Sequence, residues 1–237
     1  MTSPTVPSLS PAHQAALLSN PWFGGLPEPI RQAMLAHGHA SRLTVGHALF
    51  LRGDPADGIY AVLEGCIRLS GVSDEGHETV LSLHEPGSWF GETSVLDTLP
   101  RTHDAFAHTA ARVLRVPAAS LEALLAAHPA LGISLLRLEC TRLRAALAAL
   151  EAFSQRTLEQ RFAGRLLALA SAYGANTPQG IRIELRLPQE LLAQLVGTTR
   201  QRINQVLKAW EVAGLVAQRY GRIAVLDPAG LERLATR

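Results

Sequence analysis

Apolar positions along this chain change their period twice, and the changes predict three kinds of element in succession. Between residues 40 and 117 the apolar residues alternate with polar ones or fall in short β-rich runs. Turn signals interrupt them at Gly46, 53–55, 57–58, 64–65, 74–76 and 86–87. Such regular punctuation predicts an antiparallel roll, with strands over 48–51, 58–63, 66–72, 78–83, 88–90, 103–107 and 111–116. From 120 to 150 the texture turns helical, and Pro129 opens a long segment. Within it Ile133, Leu136, Cys140, Leu143, Leu147 and Leu150 recur at alternating spacings of three and four, the seam of a coiled coil. Leu131, Leu135 and Leu138 line an adjacent face. Two apolar faces on one long helix predict that one packs on the roll and the other on a second copy of the chain. The alternative is one helix buried against its own domain.

Beyond residue 157 the pattern predicts a helix over 158–171, a loop over 174–180, a strand over 181–187 and a hairpin over 215–225. Between the strand and the hairpin, residues 188–211 describe two short helices crossing at a glycine turn. Leu191, Leu192 and Leu195 form the apolar side of the first, and Ile203, Val206, Leu207 and Trp210 that of the second. Gly197 stands at the turn, and small Ala193 lets the backbones approach. The other side of the second helix carries Thr198, Thr199, Arg200, Gln201, Arg202, Asn204, Gln205 and Lys208. Cations meet phosphates, and amides and guanidiniums bond base edges bidentately, so this is the layout of a DNA-reading helix-turn-helix. The competing view is an ordinary helical hairpin with a solvated polar face. The following hairpin, with Arg219 and Arg222 flanking its tip, adds a wing that can reach DNA phosphates.

At the other end, residues 1–21 are rich in Ser, Pro and Thr and are expected to form a flexible arm, with a helical tendency near 11–18. Residues 22–39 predict a turn and a short amphipathic helix burying Ile30, Met34 and Leu35. The expected architecture is therefore α+β: an arm over 1–21, a jelly-roll-like antiparallel β-roll over 22–127, a long dimerisation helix over 128–157, and a winged helix-turn-helix domain over 158–237.

Charge supports this division. Residues 158–237 hold eleven Lys and Arg against six Asp and Glu, net +5; residues 1–157 hold eleven against fourteen, net −3. A basic C-terminal module thus follows an acidic one, the electrostatic footprint of a nucleic-acid binder. No apolar run approaches the roughly 20 residues that span a bilayer, and the N-terminus lacks a secretion signal, so a cytoplasmic protein without a membrane partner is expected. Cys66 and Cys140 lie far apart and form neither a CxxC pair nor a disulfide framework.

One further segment carries chemistry. Residues 90–102 place Gly91 and Glu92 nine residues ahead of Arg101 and Thr102. Arg101 can pair bidentately with a phosphate, Thr102 can donate to it, and Glu92 can accept from a sugar hydroxyl, which suggests a small anionic ligand. A structural ion pair between Glu92 and Arg101 is the alternative.

Over nearly its whole length the chain resembles the Crp/Fnr family of bacterial transcription regulators: FLRGDPADGIYAVLEGCIRL and PGSWFGETSVLDTLPRT are similar to its cyclic-nucleotide-binding roll, and the long helix and helix-turn-helix follow in order. The resemblance implies that Gly91 and Glu92 hold a ribose, that Arg101 and Thr102 hold a cyclic phosphate, and that the long helix forms the dimer and reaches the base, with a cation kept at Arg142. It also implies double-stranded DNA and RNA polymerase as partners. Arg200, Gln201 and Gln205 would read the major groove, Asn204 would share their face, and Thr199 and Lys208 would contact phosphates. The chain departs from the family at Ala146 and Leu147, where cyclic-AMP-responsive members offer hydroxyls to adenine. Further departures are Thr102-His103-Asp104, where many members have Ser-Ala after the phosphate arginine, and Gln201 in place of a frequent acidic residue.

Other functions fit less well. An iron–sulfur sensor needs a cysteine cluster that this chain lacks. A haem sensor would have to draw on His77, His84, His103 or Cys66. A cupin-like metalloenzyme would need His37 and His39, but no carboxylate follows at ligand spacing and both precede the strands, so no enzyme is expected. A regulator that uses the roll only for dimerisation, without a ligand, stays open.

Overall fold

The computed structural model describes residues 9–72, 78–219 and 221–236. The chain divides into two compact units, Met1–Gly71 with Leu81–Ala145, and Val72–Val80 with Ala146–Arg237.

The first unit opens with three helices, α1 (Pro11–Ser19), α2 (Pro21–Gly24) and α3 (Glu28–Ala36). Within the arm expected to be flexible, Ser10 caps the helix α1. Ser10 and His13 form a reciprocal capping box, and Pro11 occupies the first turn, where its missing N–H costs nothing. Leu17 is then buried in the core, and the His13 ring donates to Glu64 at 2.6 Å.

Strands β1 (His39–Leu43), β2 (Ala48–Phe50), β3 (Gly58–Glu64), β4 (Ile67–Val72), β5 (Glu78–His84) and β6 (Trp89–Phe90) come next. Helix α4 (Glu92–Leu96), strands β7 (Asp104–Ala107) and β8 (Ala111–Pro117), and helices α5 (Ala118–Ala127) and α6 (Pro129–Gln155) follow. Two four-stranded sheets, ordered β1-β8-β3-β6 and β2-β7-β4-β5, form the roll. β1 has mostly exposed polar residues, which hid it from the apolar pattern; its register on β8, with Ala40 opposite Leu114, makes it a strand.

β3 explains how the roll is covered. Its alternate residues Tyr60 and Val62 join Phe50, Ile67, Phe90, Ala105 and Val113 between the sheets. Ile59, Ala61 and Leu63 face the opposite way and pack with Leu17, Phe23, Met34, Leu121, Leu131 and Leu135 from the helices. Both faces are buried, so the strand is apolar without a gap. The segment that looked helical from 120 onward is two helices bent by 116°. The break falls at His128, whose backbone (φ −132°, ψ 81°) is outside the helical region that a following proline disfavours.

The second unit contains α7 (Leu158–Tyr173), β9 (Gly174–Thr177), β10 (Gly180–Ile183), α8 (Gln189–Val196), α9 (Arg200–Val212), β11 (Val216–Arg219), β12 (Arg222–Val225) and α10 (Pro228–Thr236). The expected loop over 174–180 is largely β9, and the expected strand over 181–187 stops at Ile183. The sheet order is β11-β12-β10-β9. Phe162 of α7 stacks on Trp210 of α9 at 5.0 Å and 15°, and Leu166, Leu192, Ile203, Leu207 and Val225 are buried in the same unit. Such an aromatic pair contributes about 1 kcal/mol beyond its buried area. Leu195 is only half-buried.

Candidate functional site

β6 delivers the chain to the turn at Gly91, which adopts a left-handed conformation (φ 84°) as it caps α4. A Cβ here would be strained by that conformation and would lie 2.9 Å from the Arg101 guanidinium, so only glycine fits. The next residue, Glu92, is 3% exposed, and its carboxylate is ion-paired with Arg142 of α6. Arg142 also donates to the Trp89 carbonyl at 2.5 Å and lies 3.6 Å from Glu139. A carboxylate at the roll's glycine turn is thereby tied to the long helix.

Arg101 is 2% exposed. It donates to the Gly91 carbonyl at 2.7 Å, the Gly58 carbonyl at 2.6 Å and the Asp57 carboxylate at 2.7 Å. Its guanidinium lies 4.3 Å from the centre of the Phe50 ring. The Nε of Arg101 is buried with no hydrogen-bond partner. The ion pair weighed between Glu92 and Arg101 is not formed, since each has a different partner, Arg142 and Asp57 respectively.

Asp57 was legible only as part of a turn, yet it gathers three donors: Arg101, Arg115 at 2.8 Å and the Tyr60 hydroxyl at 2.6 Å. Burial pushes its carboxyl up, and these hydrogen bonds outweigh burial and hold it below the usual carboxylate range. The same arrangement raises Tyr60, through burial first and then its bond to the Asp57 anion. Thr102 is exposed, and its hydroxyl bonds to the His103 ring at 2.8 Å. The Asp104 carboxylate accepts from the Arg52 backbone at 2.7 Å.

Along α6, Leu131 and Leu135 are buried and Leu138 packs against the same core. The seam residues stand free in the single chain: Ile133, Leu136, Leu143, Leu147 and Leu150 are each more than half exposed, and Cys140 is exposed beside them.

In the second unit, Gly197 ends α8 in a left-handed conformation (φ 69°), and the Thr199 hydroxyl caps α9 by accepting from Arg202 N–H at 3.3 Å. These two residues make the sharp turn that sets α9 across α8. Thr199, Arg200, Gln201, Gln205 and Lys208 are all exposed on one side of α9. Asn204 is half-buried, and its carbonyl accepts from Gln189 at 3.5 Å. Gln205 accepts from Arg202 at 3.4 Å, and Arg202 pairs with Glu159. On the wing, Arg219 and Arg222 are both exposed, with Arg222 3.6 Å from Glu184.

The residues weighed for other cofactors are dispersed. His84 stacks on Phe90 and Cys66 is a buried thiol, while His77 lies outside the described residues. Among the described residues no three His, Cys, Asp or Glu side chains cluster as metal ligands. No single described helix is long and apolar enough to cross a membrane.

Comparison with known proteins gives a family to each part of the chain. Residues 41–128 match the cyclic nucleotide-binding domain, and residues 160–234 match the Crp-like helix-turn-helix domain. A CRP-like cAMP-activated global transcriptional regulator from Mycobacterium tuberculosis is 31% identical over 192 residues, 81% of this chain and 84% of that protein. The cyclic AMP receptor protein of Thermus thermophilus is 31% identical over 217 residues, 91% of this chain and 97% of that one. The crystal structure of a CRP-family transcriptional regulator, also from Thermus thermophilus, superposes with a TM-score of 0.71 at 28% identity, covering 83% of this chain and 97% of that one. These relatives and both matched domains are those of transcription regulators rather than enzymes, and the chain belongs to the Crp/Fnr family of DNA-binding transcription regulators.

Proposed function

We propose that the chain works as a homodimer that binds a near-palindromic operator through α9 and is gated by a cyclic nucleotide in the roll. The observation that carries the gating is the Glu92–Arg142 ion pair, because it joins the roll's ligand-facing turn to the helix whose free apolar seam would meet a partner. A ribose hydroxyl on Glu92 competes with Arg142, so ligand and helix position become linked. Arg101, exchanging its Asp57 partner for the ligand, and Thr102 would take the cyclic phosphate. On DNA, Arg200, Gln201 and Gln205 would reach base edges, Asn204 would act from a half-buried position, and Thr199, Lys208, Arg219 and Arg222 would contact phosphates. The chromosome as target sets the site of action in the cytoplasm, with RNA polymerase as the downstream partner.

A second reading, in which the roll binds nothing and serves only dimerisation, draws support from Asp57. Its carboxylate already neutralises Arg101, so a phosphate must compete with an internal anion. Calorimetry with cyclic AMP, cyclic GMP and cyclic di-GMP, paired with operator binding in the presence and absence of each, separates the two. Heat and a change in DNA affinity with one nucleotide are expected; no heat with any of them and constant DNA affinity would establish the ligand-free reading.

A further inference from the structure

Two polar side chains of the roll take no part in the reading above. Ser82 and His84 stand two residues apart on one face of β5, both half-buried. The His84 ring stacks on Phe90 at 4.7 Å and 25°. Phe90 immediately precedes Gly91 and Glu92 and stacks in turn on Tyr60. His84 is therefore one aromatic ring away from the turn that carries the candidate sugar-binding carboxylate.

The ring is also prepared for recognition. Its Nε2 shares a 3.0 Å hydrogen bond with the Ser82 hydroxyl, while no described residue bonds its Nδ1. Burial, and secondarily the charge of Arg142, push its pKa down to about 4, so the imidazole is neutral at physiological pH. A neutral imidazole presents one donor or one acceptor at its free nitrogen, and a hydroxyl can complement either tautomer. Arg142 acts on this ring and holds Glu92 as well, so the sugar-side carboxylate and the imidazole share one neighbour.

We propose that His84, oriented by Ser82, is the residue that reads the nucleobase of the effector, and so sets which cyclic nucleotide the roll prefers. This rests on the reading of the roll as a cyclic-nucleotide site. A base whose sugar lies on Glu92 would meet the half-buried His84 ring, which is held in place by the buried Phe90, and Nδ1 would offer its donor or acceptor to a ring nitrogen or exocyclic group. His84 is a specificity residue in this role, whereas Glu92 and Arg101 would secure any cyclic nucleotide alike.

The test titrates the full-length protein with cyclic AMP and with cyclic GMP by calorimetry, comparing wild type with His84→Leu, His84→Gln and Ser82→Ala. His84→Leu is expected to change the ratio of the two affinities by about threefold to tenfold, the worth of one hydrogen bond. His84→Gln, which keeps a donor and an acceptor, should change it less. In protein labelled with carbon-13 at histidine Cε1, the resonance that His84→Gln removes should shift when the preferred nucleotide is added. This spectroscopic readout decides the matter even where His84→Leu fails to fold. Wild-type affinities in both His84 variants, with an unmoved His84 resonance, would overturn the assignment while leaving the nucleotide site intact. If wild type binds neither nucleotide, the reading of the roll fails and this inference falls with it.

Discussion

Arg101 shows how one residue can hold a site together before any ligand arrives. Its guanidinium, itself buried, satisfies the Gly58 and Gly91 carbonyls and the partly exposed Asp57 carboxylate. Replacing it with alanine removes a donor from two carbonyls, while Asp57 keeps Arg115 and the Tyr60 hydroxyl. We expect Arg101→Ala to lose stability by roughly 2 kcal/mol, from the lost bonds to two carbonyls, seen as a lower urea midpoint, in addition to any loss of nucleotide binding. Arg101→Lys keeps the charge but not the fork, and should retain more stability than alanine. His84 makes a different prediction. Its folded pKa is about 4 against 6.5 for an ordinary histidine, so between those values the unfolded chain binds the extra proton. Its contribution to stability is present above pH 6.5 and is lost as pH falls toward 4, by up to about 3 kcal/mol, less whatever solvent reaches the half-buried ring. Urea midpoints of wild type and His84→Leu measured from pH 4 to 7 should diverge in slope, wild type losing more stability on acidification. Parallel slopes would show that His84 is not held neutral.

Among the elements, α9 depends on its first residue. The Thr199 hydroxyl caps the helix, and Thr199→Ala should cost about 1 kcal/mol, which thermal unfolding of the full chain can detect. Lys208 makes no such structural bond on its exposed side, so Lys208→Ala should leave stability unchanged. If it meets a phosphate, it should weaken DNA binding evenly across sequences and reduce the salt slope by about one. Affinity measured against potassium chloride on two unrelated duplexes separates that from base reading. The helix-turn-helix was legible because its apolar residues, its glycine and its polar face lie within two dozen consecutive residues. β1 and α4 were not. β1 is held by register on β8, and α4 is a single turn and a half fixed by the Gly91 conformation. Asp57 likewise looked like turn chemistry, because the donors that converge on it come from residues 60, 101 and 115, brought together only by the folded roll. Arg142 was legible as a cation worth noting; that Glu92 would be its partner needed the helix to be set against the turn.

For the whole molecule, the exposed seam of α6 is the feature that a single chain leaves unexplained. Five aliphatic side chains at coiled-coil spacing, each more than half exposed, would be a liability on a monomer in water. Burying one such residue fully contributes about 1.5–3 kcal/mol, so pairing two copies along this seam supplies enough to hold a dimer. Leu143 and Leu147 lie mid-seam and have no share in the roll's core, which is built from Leu131 and Leu135 on the other face. Leu143→Glu combined with Leu147→Glu should therefore leave each unit folded, losing only the thermal stability that dimerisation adds, while placing four like charges across the interface. Sedimentation velocity should show a dimer for the wild type and a monomer for the double variant. DNA binding should follow the same division, because a dimer engages two half-sites about 34 Å apart and a monomer only one. The double variant should bind a single half-site as well as the wild type does, and lose at least tenfold on a full operator. A double variant that sediments as a dimer would show that another surface holds the two chains together. One that is monomeric yet keeps full operator affinity would show that two α9 helices need no shared seam to act together.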